Sequence, residues 1–161
     1  MKTIILAGGW GSRMGNLSDS VPKPMINIGS RPILWHIMQI YMKYGFNDFI
    51  IALGVKGNVI KDYFINYKNN VSDVEIDLNS NQILYSINKN DQILLNAKIT
   101  LVETGLNTLK GARIKRLQKY LGKDENFFLT YGDGLSDVNI KKLLKFHIEN
   151  KKIFTITGVR P

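Results

Sequence analysis

The chain has 161 residues and no cysteine; 44% of its residues are hydrophobic, 22% are charged, and the formal net charge is +9. This length and composition are typical of one globular domain with its own core, and they exclude disulfides, thiolate metal sites and a cysteine nucleophile. Because no apolar run approaches the roughly 18 residues of a membrane span and no signal-peptide pattern opens the chain, we expect a cytoplasmic protein without a membrane partner.

The first predicted element is a buried strand at residues 3–7, a β-branched apolar run that glycines end at once. The glycines of segment 8–11 allow the backbone to approach a ligand closely and to aim several N–H groups at one point, as in phosphate-binding loops. Arg13 and Lys23 could supply the positive charge that a triphosphate needs. The alternative is an ordinary strand-to-helix turn with an exposed arginine. The phosphate loop is favoured because glycines and cations gather within a short stretch.

Strand and helix patterns then alternate along the chain. Apolar runs predict strands at 48–53, 99–103, 127–131 and 153–157, and helical spacing predicts helices at 32–44, 57–67, 109–121 and 138–149. The predicted N-caps of three of these helices are Ser30, either Asn107 or Thr108, and Asp137. Segments 74–78 and 83–87, with a polar turn between them, predict a β-hairpin.

Such alternation is typical of parallel strands joined by crossovers. We therefore predict an α/β fold: a three-layer, Rossmann-like, mainly parallel sheet with helices on both faces. The hairpin near 73–97 would be an excursion from that sheet. No linker or internal repeat suggests a second domain.

Three polar turns follow predicted strands: residues 8–13, 104–113 and 132–134. In an open parallel sheet, ligands bind at the carboxyl ends of the strands, so these turns predict one binding edge. Asp133 could hold Mg²⁺ against phosphate oxygens, although an Asp-Gly pair is also a common turn. Segment 104–113 places a hydroxyl, backbone N–H groups and Arg113 at a helix start, which favours phosphate, although an ordinary capped helix with exposed basic residues has the same pattern.

Basic residues gather on two predicted helices. They are Lys110, Arg113, Lys115, Arg116 and Lys119, and then Lys141, Lys142, Lys145, Lys151 and Lys152. Such residues usually form a solvated helix face. No aromatic-interleaved basic patch or nucleic-acid motif accompanies them, so we expect no nucleic-acid partner.

With these motifs in hand, the chain resembles the sugar-1-phosphate nucleotidyltransferases, and among them the glucose-1-phosphate cytidylyltransferases. The matching segments are 6–13 (Leu-Ala-Gly-Gly-Trp-Gly-Ser-Arg), 22–24 (Pro-Lys-Pro), 32–38, 100–105, 111–113 and 130–134 (Thr-Tyr-Gly-Asp-Gly). The likeness covers essentially the whole chain. The segment from Thr104 to Arg113 points to the cytidylyl branch, since relatives that use UTP or dTTP carry a Gln-Pro-containing stretch there. Trp10, Val21 and Ala112 depart from the usual pattern.

The resemblance implies a set of site residues. The nucleotide-binding residues would be Leu6, Ala7, Gly8, Gly9, Trp10, Gly11, Ser12, Arg13, Lys23, Thr108, Arg113 and Gly132. Arg13 and Lys23 would be catalytic, acting on the phosphates and near the α-phosphate, and Asp133 would bind the Mg²⁺ cofactor. The implied reaction transfers CMP from CTP to glucose 1-phosphate by in-line attack on the α-phosphate, giving CDP-glucose and pyrophosphate.

Family members usually form homo-oligomers and continue beyond this length into a sugar-binding half, with Arg-Phe-Gly, Glu-Lys-Pro and Asn-Gly-Gly segments and a second metal-binding aspartate. Residues 1–161 lack those segments. We therefore expect a single nucleotide-binding domain, the N-terminal part of a longer nucleotidyltransferase, with little activity alone. The alternatives are a related enzyme that uses another nucleoside triphosphate or another phosphorylated acceptor, and a non-catalytic nucleotide-binding module.

Overall fold

The computed structural model describes residues 1–9 and 21–158. The strands are β1 (Thr3–Leu6), β2 (Asn27–Ile28), β3 (Arg31–Pro32), β4 (Asp48–Leu53), β5 (Ser72–Asp77), β6 (Gln82–Ile87), β7 (Lys98–Glu103) and β8 (Phe128–Tyr131). The helices are α1 (Ile33–Met42), α2 (Gly57–Ile65), α3 (Tyr67–Val71), α4 (Lys89–Gln92), α5 (Lys110–Arg116), α6 (Gln118–Leu121) and α7 (Ile140–Asn150). Short 3-10 turns lie at Lys23–Met25 and Ile93–Asn96.

Within the described residues, four parallel strands form the central sheet in the order β7-β4-β1-β8. The chain enters through β1, which pairs with β4 on one side and β8 on the other. Ile4 therefore lies opposite both Ile50 and Leu129. Because the pairing is parallel throughout, the four carboxyl ends lie at one edge of the sheet, as the alternating pattern predicted.

Helices cover both faces of this sheet. On one face Ile5, Phe49 and Ile51 are buried in a cluster with residues of α1, α2 and α7. On the other face Ile4 and Ile50, their immediate neighbours in sequence, pack with Leu117 between α5 and α6. Successive strand residues point to opposite faces, and full burial of each such apolar side chain contributes about 1.5–3 kcal/mol. The predicted α/β architecture is confirmed.

The hairpin is a separate element. β5 and β6 pair antiparallel outside the main sheet, with Val74 opposite Tyr85 and Ile76 opposite Ile83. Ile76 and Ile83 remain 57% and 51% exposed, so the hairpin contributes little to the core. The predicted excursion near 73–97 is confirmed.

Three predicted helix caps are wrong. Arg31–Pro32 pairs with Asn27–Ile28 as a short antiparallel ribbon, so α1 begins after Pro32 and Ser30 does not cap it. Leu109, which has no capping side chain, precedes α5.

The third cap is displaced by two residues, because Asn139, not Asp137, precedes α7. The Asn139 side chain accepts from the Lys142 backbone N–H at 3.0 Å. Each misplaced cap has a polar side chain of the right type, but the backbone path decides which one reaches a free N–H.

The predicted strand at 153–157 is also wrong. These residues join no sheet among the described residues, and Ile153, Phe154 and Ile156 are 103%, 69% and 78% exposed. A β-branched sequence favours a strand only where a neighbouring strand offers backbone hydrogen bonds and an apolar face. Instead Thr155 contacts His147 of α7, with 2.8 Å between its hydroxyl and Nδ1. His147 is therefore half-buried and does not face solvent freely.

Residues 1–9 and 21–158 contain no helix with the length and apolar character that a bilayer span requires.

Candidate nucleotide-binding site

The carboxyl-end edge of the sheet is where the polar turns begin. The Ala7 N–H donates to the Ala52 carbonyl at 3.0 Å, and the Gly132 N–H donates to the Leu6 carbonyl at 3.0 Å. The Thr104 N–H donates to the Leu53 carbonyl at 3.1 Å. These bonds continue the strand ladders by one residue, so the three turns leave the sheet side by side. The prediction that they share one edge is confirmed.

The buried side chain of Arg113 connects the turns after β1 and β7 with the end of β4. Its side chain is 5% exposed. Nη1 donates to the Leu53 carbonyl at 2.9 Å and to the Thr104 hydroxyl at 2.6 Å. Nη2 donates to the Gly8 carbonyl at 2.8 Å and to the Leu106 carbonyl at 3.1 Å. One guanidinium therefore holds the ends of β4 and β7 and the start of the glycine turn in a single arrangement.

The guanidinium fits there because two glycines leave room for it. A Cβ on Gly8 would lie 2.7 Å from Cζ of Arg113 and 3.0 Å from the Gly54 nitrogen. A Cβ on Gly54 would lie 2.5 Å from the Gly8 carbonyl oxygen. Since real Cβ atoms do not approach so closely, both positions require glycine, and the turn after β1 packs backbone to backbone against the turn after β4.

The charge on Arg113 is retained beneath the turn. Burial lowers the pKa of the guanidinium, and the nearby Arg116 charge lowers it further. Its four acceptors are three carbonyls and a hydroxyl, so those bonds leave the positive charge unneutralised. An arginine stays protonated at all ordinary pH values, so a positive charge is buried at this edge of the sheet.

Thr108 lies in the same turn and contacts a second arginine. Its hydroxyl accepts a hydrogen bond from Nη1 of Arg116 at 2.7 Å. Nη1 of Arg116 also donates to the Thr104 carbonyl. The Thr108 hydroxyl therefore faces Arg116 and not the first N–H groups of α5, which explains why it is not the helix cap.

Lys23 and Asp133 are brought to the same strand end by a contact between their neighbours. A Cβ on Gly132 would lie 2.9 Å from Cγ of Pro24 and 3.1 Å from the Leu6 carbonyl. Pro24 and Gly132 are buried, Lys23 is half-buried, and Asp133 is exposed. Because Pro24 and Gly132 are in contact, their chain neighbours Lys23 and Asp133 both lie near the end of β8.

The helix start at α5 approaches β8 as well. Nζ of Lys110 lies 5.1 Å from the centre of the Tyr131 ring. A cation at this distance from an aromatic face is weakly attracted to it. Segment 104–113 therefore reaches from the end of β7 across the edge to the end of β8.

Some of the residues predicted for the site serve the core as well. Ala7 is buried and Leu6 is half-buried at the end of β1, so these two residues can present only backbone to a ligand without rearrangement, whereas Gly9 is exposed. Trp10, Gly11, Ser12 and Arg13 lie outside the described residues.

A divalent metal is the cofactor that this donor set would accept. Among the described residues no group of three or more histidine, aspartate or glutamate side chains converges. Mg²⁺, however, is usually held by one or two carboxylates together with substrate phosphates. The exposed Asp133 carboxylate at the end of β8 fits that mode.

Sequence reasoning missed two residues of this edge, Gly54 and Arg116, and placed Thr104 in a predicted turn without its buried contacts. Gly54 looks like a strand terminator, and only its packing on Gly8 shows its role. Thr104 is fully buried, and its hydroxyl donates to the Leu53 carbonyl at 2.5 Å. The i, i+3 spacing of Arg113 and Arg116 is the one signal that could have indicated a shared helix face.

Residues 2–161 match the nucleotidyl transferase family. The chain is 42% identical over 162 residues to a probable glucose-1-phosphate cytidylyltransferase of Bacillus subtilis (strain 168), covering 99% of this chain and 60% of the relative. It is 43% identical over 161 residues to the glucose-1-phosphate cytidylyltransferase of Salmonella typhimurium, covering 100% of this chain and 61% of the relative. The chain thus spans about three fifths of the length of these curated relatives.

The fold has solved counterparts. The structure of a UDP-glucose pyrophosphorylase complexed with UDP-glucose superposes with a TM-score of 0.67 at 20% identity, over 93% of this chain and 54% of that one. At this identity the likeness concerns the fold, and it agrees with the parallel sheet described above. The resemblance first indicated by the glycine turn and the Pro-Lys-Pro segment is therefore confirmed, and the chain belongs to the nucleotidyl transferase family.

Proposed function

We propose that this chain is the nucleotide-binding part of an enzyme that transfers CMP from CTP to glucose 1-phosphate, releasing pyrophosphate. The observation that carries the proposal is the convergence of the glycine turn, segment 104–113 and Asp133 at one edge of the sheet, with the unneutralised Arg113 beneath it. Identities of 42% and 43% to two glucose-1-phosphate cytidylyltransferases support CTP and glucose 1-phosphate as the substrates.

In this mechanism the protein positions the two substrates and neutralises the charge of the triphosphate, and the phosphate of the acceptor sugar attacks the α-phosphorus. The backbone N–H groups of the glycine turn bind the triphosphate, whose charge is offset by Lys23 and Arg13. An oxygen of glucose 1-phosphate attacks the α-phosphorus, the bond to the bridging oxygen of the β-phosphate breaks, and pyrophosphate leaves with that electron pair. No covalent enzyme intermediate is needed.

Asp133 would hold Mg²⁺ together with phosphate oxygens of CTP. When bound, the metal would offset negative charge on the α-phosphate and the departing pyrophosphate. The role of this chain is to keep the Asp133 carboxylate exposed at the end of β8, immediately after the buried Gly132. The proposed setting is the cytoplasm.

The first test is calorimetric titration of CTP with Mg²⁺ or with EDTA. We expect the wild type to bind CTP more tightly with Mg²⁺, and Asp133→Asn to lose at least about tenfold in affinity, because a charge-assisted contact is worth roughly 1.5–3 kcal/mol. Asp137→Asn, which removes an exposed carboxylate four residues further on, serves as the control and should bind within about twofold of the wild type.

Absence of CTP binding by a folded wild type with Mg²⁺ present would falsify the proposal. Metal-independent binding that Asp133→Asn leaves unchanged would instead favour a non-catalytic nucleotide-binding module. A thermal-shift panel of the four nucleoside triphosphates distinguishes CTP from other nucleotides, and the full activity is measured as pyrophosphate release with a panel of sugar phosphates.

A further inference from the structure

The turn from Thr104 to Thr108 is closed on itself by Arg116, a residue with no role in the proposed reaction so far. Nη1 of Arg116 donates both to the Thr104 carbonyl and to the Thr108 hydroxyl, the latter at 2.7 Å. Two arginines therefore contact the turn: the buried Arg113, and Arg116, which connects the first residue of the turn to its last.

Gly105 makes this closure possible. Its φ is +89°, a backbone conformation that L side chains rarely adopt. A Cβ at this position would lie 2.7 Å from the Thr108 hydroxyl and 2.8 Å from Nη1 of Arg116. The space beside Gly105 is therefore occupied by the Thr108 hydroxyl and the Arg116 guanidinium, which are hydrogen-bonded to each other.

This contact determines what the Thr108 hydroxyl can do. A threonine hydroxyl has one proton to donate and two lone pairs to accept with. Here one lone pair already accepts from a guanidinium, whose positive charge polarises the O–H bond and repels a second approaching N–H. The hydroxyl is thereby biased toward donating.

From this geometry, and resting on the proposed function, we propose that Arg116 is a positioning residue that makes the Thr108 hydroxyl a donor to the nucleotide base and so favours cytosine over uracil. The pairing edge of cytosine offers acceptors at both O2 and N3. Uracil shares the O2 acceptor, but its N3 carries a proton. The proposed acceptor is therefore N3: a hydroxyl that donates there matches cytosine, whereas at the same position it meets the uracil N3–H donor to donor.

The test compares the dissociation constants of CTP and UTP, each titrated calorimetrically with Mg²⁺. We expect Arg116→Ala to lower the preference for CTP over UTP by about tenfold, the range of one lost hydrogen bond to a charged or polarised group. Thr108→Val should lower the preference equally, and the double variant should lose no more than either single variant, because both act through one hydroxyl.

Lys115→Ala is the matched control. It removes the same charge from the adjacent exposed position of α5 and should leave the preference unchanged. Arg116→Lys, which keeps the charge but replaces the planar guanidinium with a more strongly hydrated ammonium group, should give an intermediate preference and replaces Arg116→Ala if that variant does not fold.

Equal weakening of CTP and UTP binding by Arg116→Ala would overturn the inference, since general loosening of the turn or loss of charge would act on both nucleotides. Additive effects of Thr108→Val and Arg116→Ala would overturn it as well. A wild type that prefers CTP, with that preference intact in Arg116→Ala, overturns this inference alone. A folded wild type that binds neither nucleotide overturns the proposed function together with it.

Discussion

A single buried arginine organises the residues of this site. Arg113 donates to the Gly8, Leu53 and Leu106 carbonyls and to the Thr104 hydroxyl, and so connects the ends of three chain segments. A planar guanidinium reaches several oxygens at fixed angles, which an ammonium group cannot do. The residue that places a buried positive charge at this edge of the sheet is thus also the one that holds its shape.

The corresponding prediction concerns stability. Arg113→Lys should lower the free energy of unfolding by about 2 kcal/mol, because at least one buried oxygen loses its donor although the charge remains. Denaturation in urea at neutral pH measures the change. Lys115→Ala, at an exposed position of the same helix, should stay within about 0.5 kcal/mol of the wild type. Equal stability of Arg113→Lys and wild type would show that the four bonds contribute nothing net.

At the scale of elements, α4, which follows the hairpin, is attached by one ion pair to β3, the strand that leads into α1. Asp91 is 2% exposed, and its two carboxylate oxygens accept from Nε of Arg31 at 2.8 Å and from Nη2 at 2.5 Å. Tyr67 donates to the same carboxylate at 3.3 Å and accepts from Nε1 of Trp35 at 3.0 Å. The network joins β3, α1, α3 and α4.

This attachment should depend on pH. The hydrogen bonds from Arg31 and, less strongly, from Asn88 outweigh burial and hold the pKa of Asp91 below its ordinary range. A carboxyl group with a depressed pKa stabilises the fold above its unfolded pKa of about 4, and this stabilisation is lost as pH falls from there through the folded pKa.

Asp91→Asn should therefore cost about 2 kcal/mol at pH 7, with a shrinking difference from wild type below about pH 4. Urea denaturation at a series of pH values measures this. Asp73→Asn on the exposed hairpin is the control and should show little difference at any pH. A deficit for Asp91→Asn that stays constant down to pH 2 would contradict the assignment of the ion pair.

At the scale of the whole molecule, the basic residues behind the net charge of +9 differ in how far they are exposed to solvent. The basic residues of α7 lie mostly on exposed positions, whereas Arg113 is buried at the site edge. A buried cation is screened far less by salt than exposed lysines are. For the proposed binding of a triphosphate, the charge that salt screens least therefore lies at the carboxyl ends of the strands.

This distribution predicts no stable complex with nucleic acid. A fluorescent 20-base-pair DNA and an RNA of equal length should show no anisotropy change with micromolar protein at about 150 mM salt, because scattered exposed lysines give only weak, salt-sensitive attraction. CTP with Mg²⁺, titrated at the same salt concentration, is the positive control. Saturable binding of either nucleic acid under these conditions would contradict the prediction.

The linear pattern of residues was sufficient for the strands of the sheet, because a buried parallel strand must be a short apolar run and a glycine ends it wherever the chain turns sharply. The hairpin was predictable for a similar reason, since its alternation is local. Caps at Ser30 and Asp137 were not predictable, because several polar side chains near a helix start are chemically equivalent until the backbone path selects one.

The sequence by itself determined the α/β architecture, the glycine turn, and the common edge at which the turns after β1, β7 and β8 begin, because periodicity and strand-end position are local properties of the chain. Only the tertiary structure decided that the buried Arg113 connects the turns and that Gly54, which has no side chain, leaves room for its guanidinium. It also decided that Arg116 engages Thr108. These contacts join segments whose separation along the chain leaves no local signal, and they exist because the parallel sheet brings four strand ends to one edge.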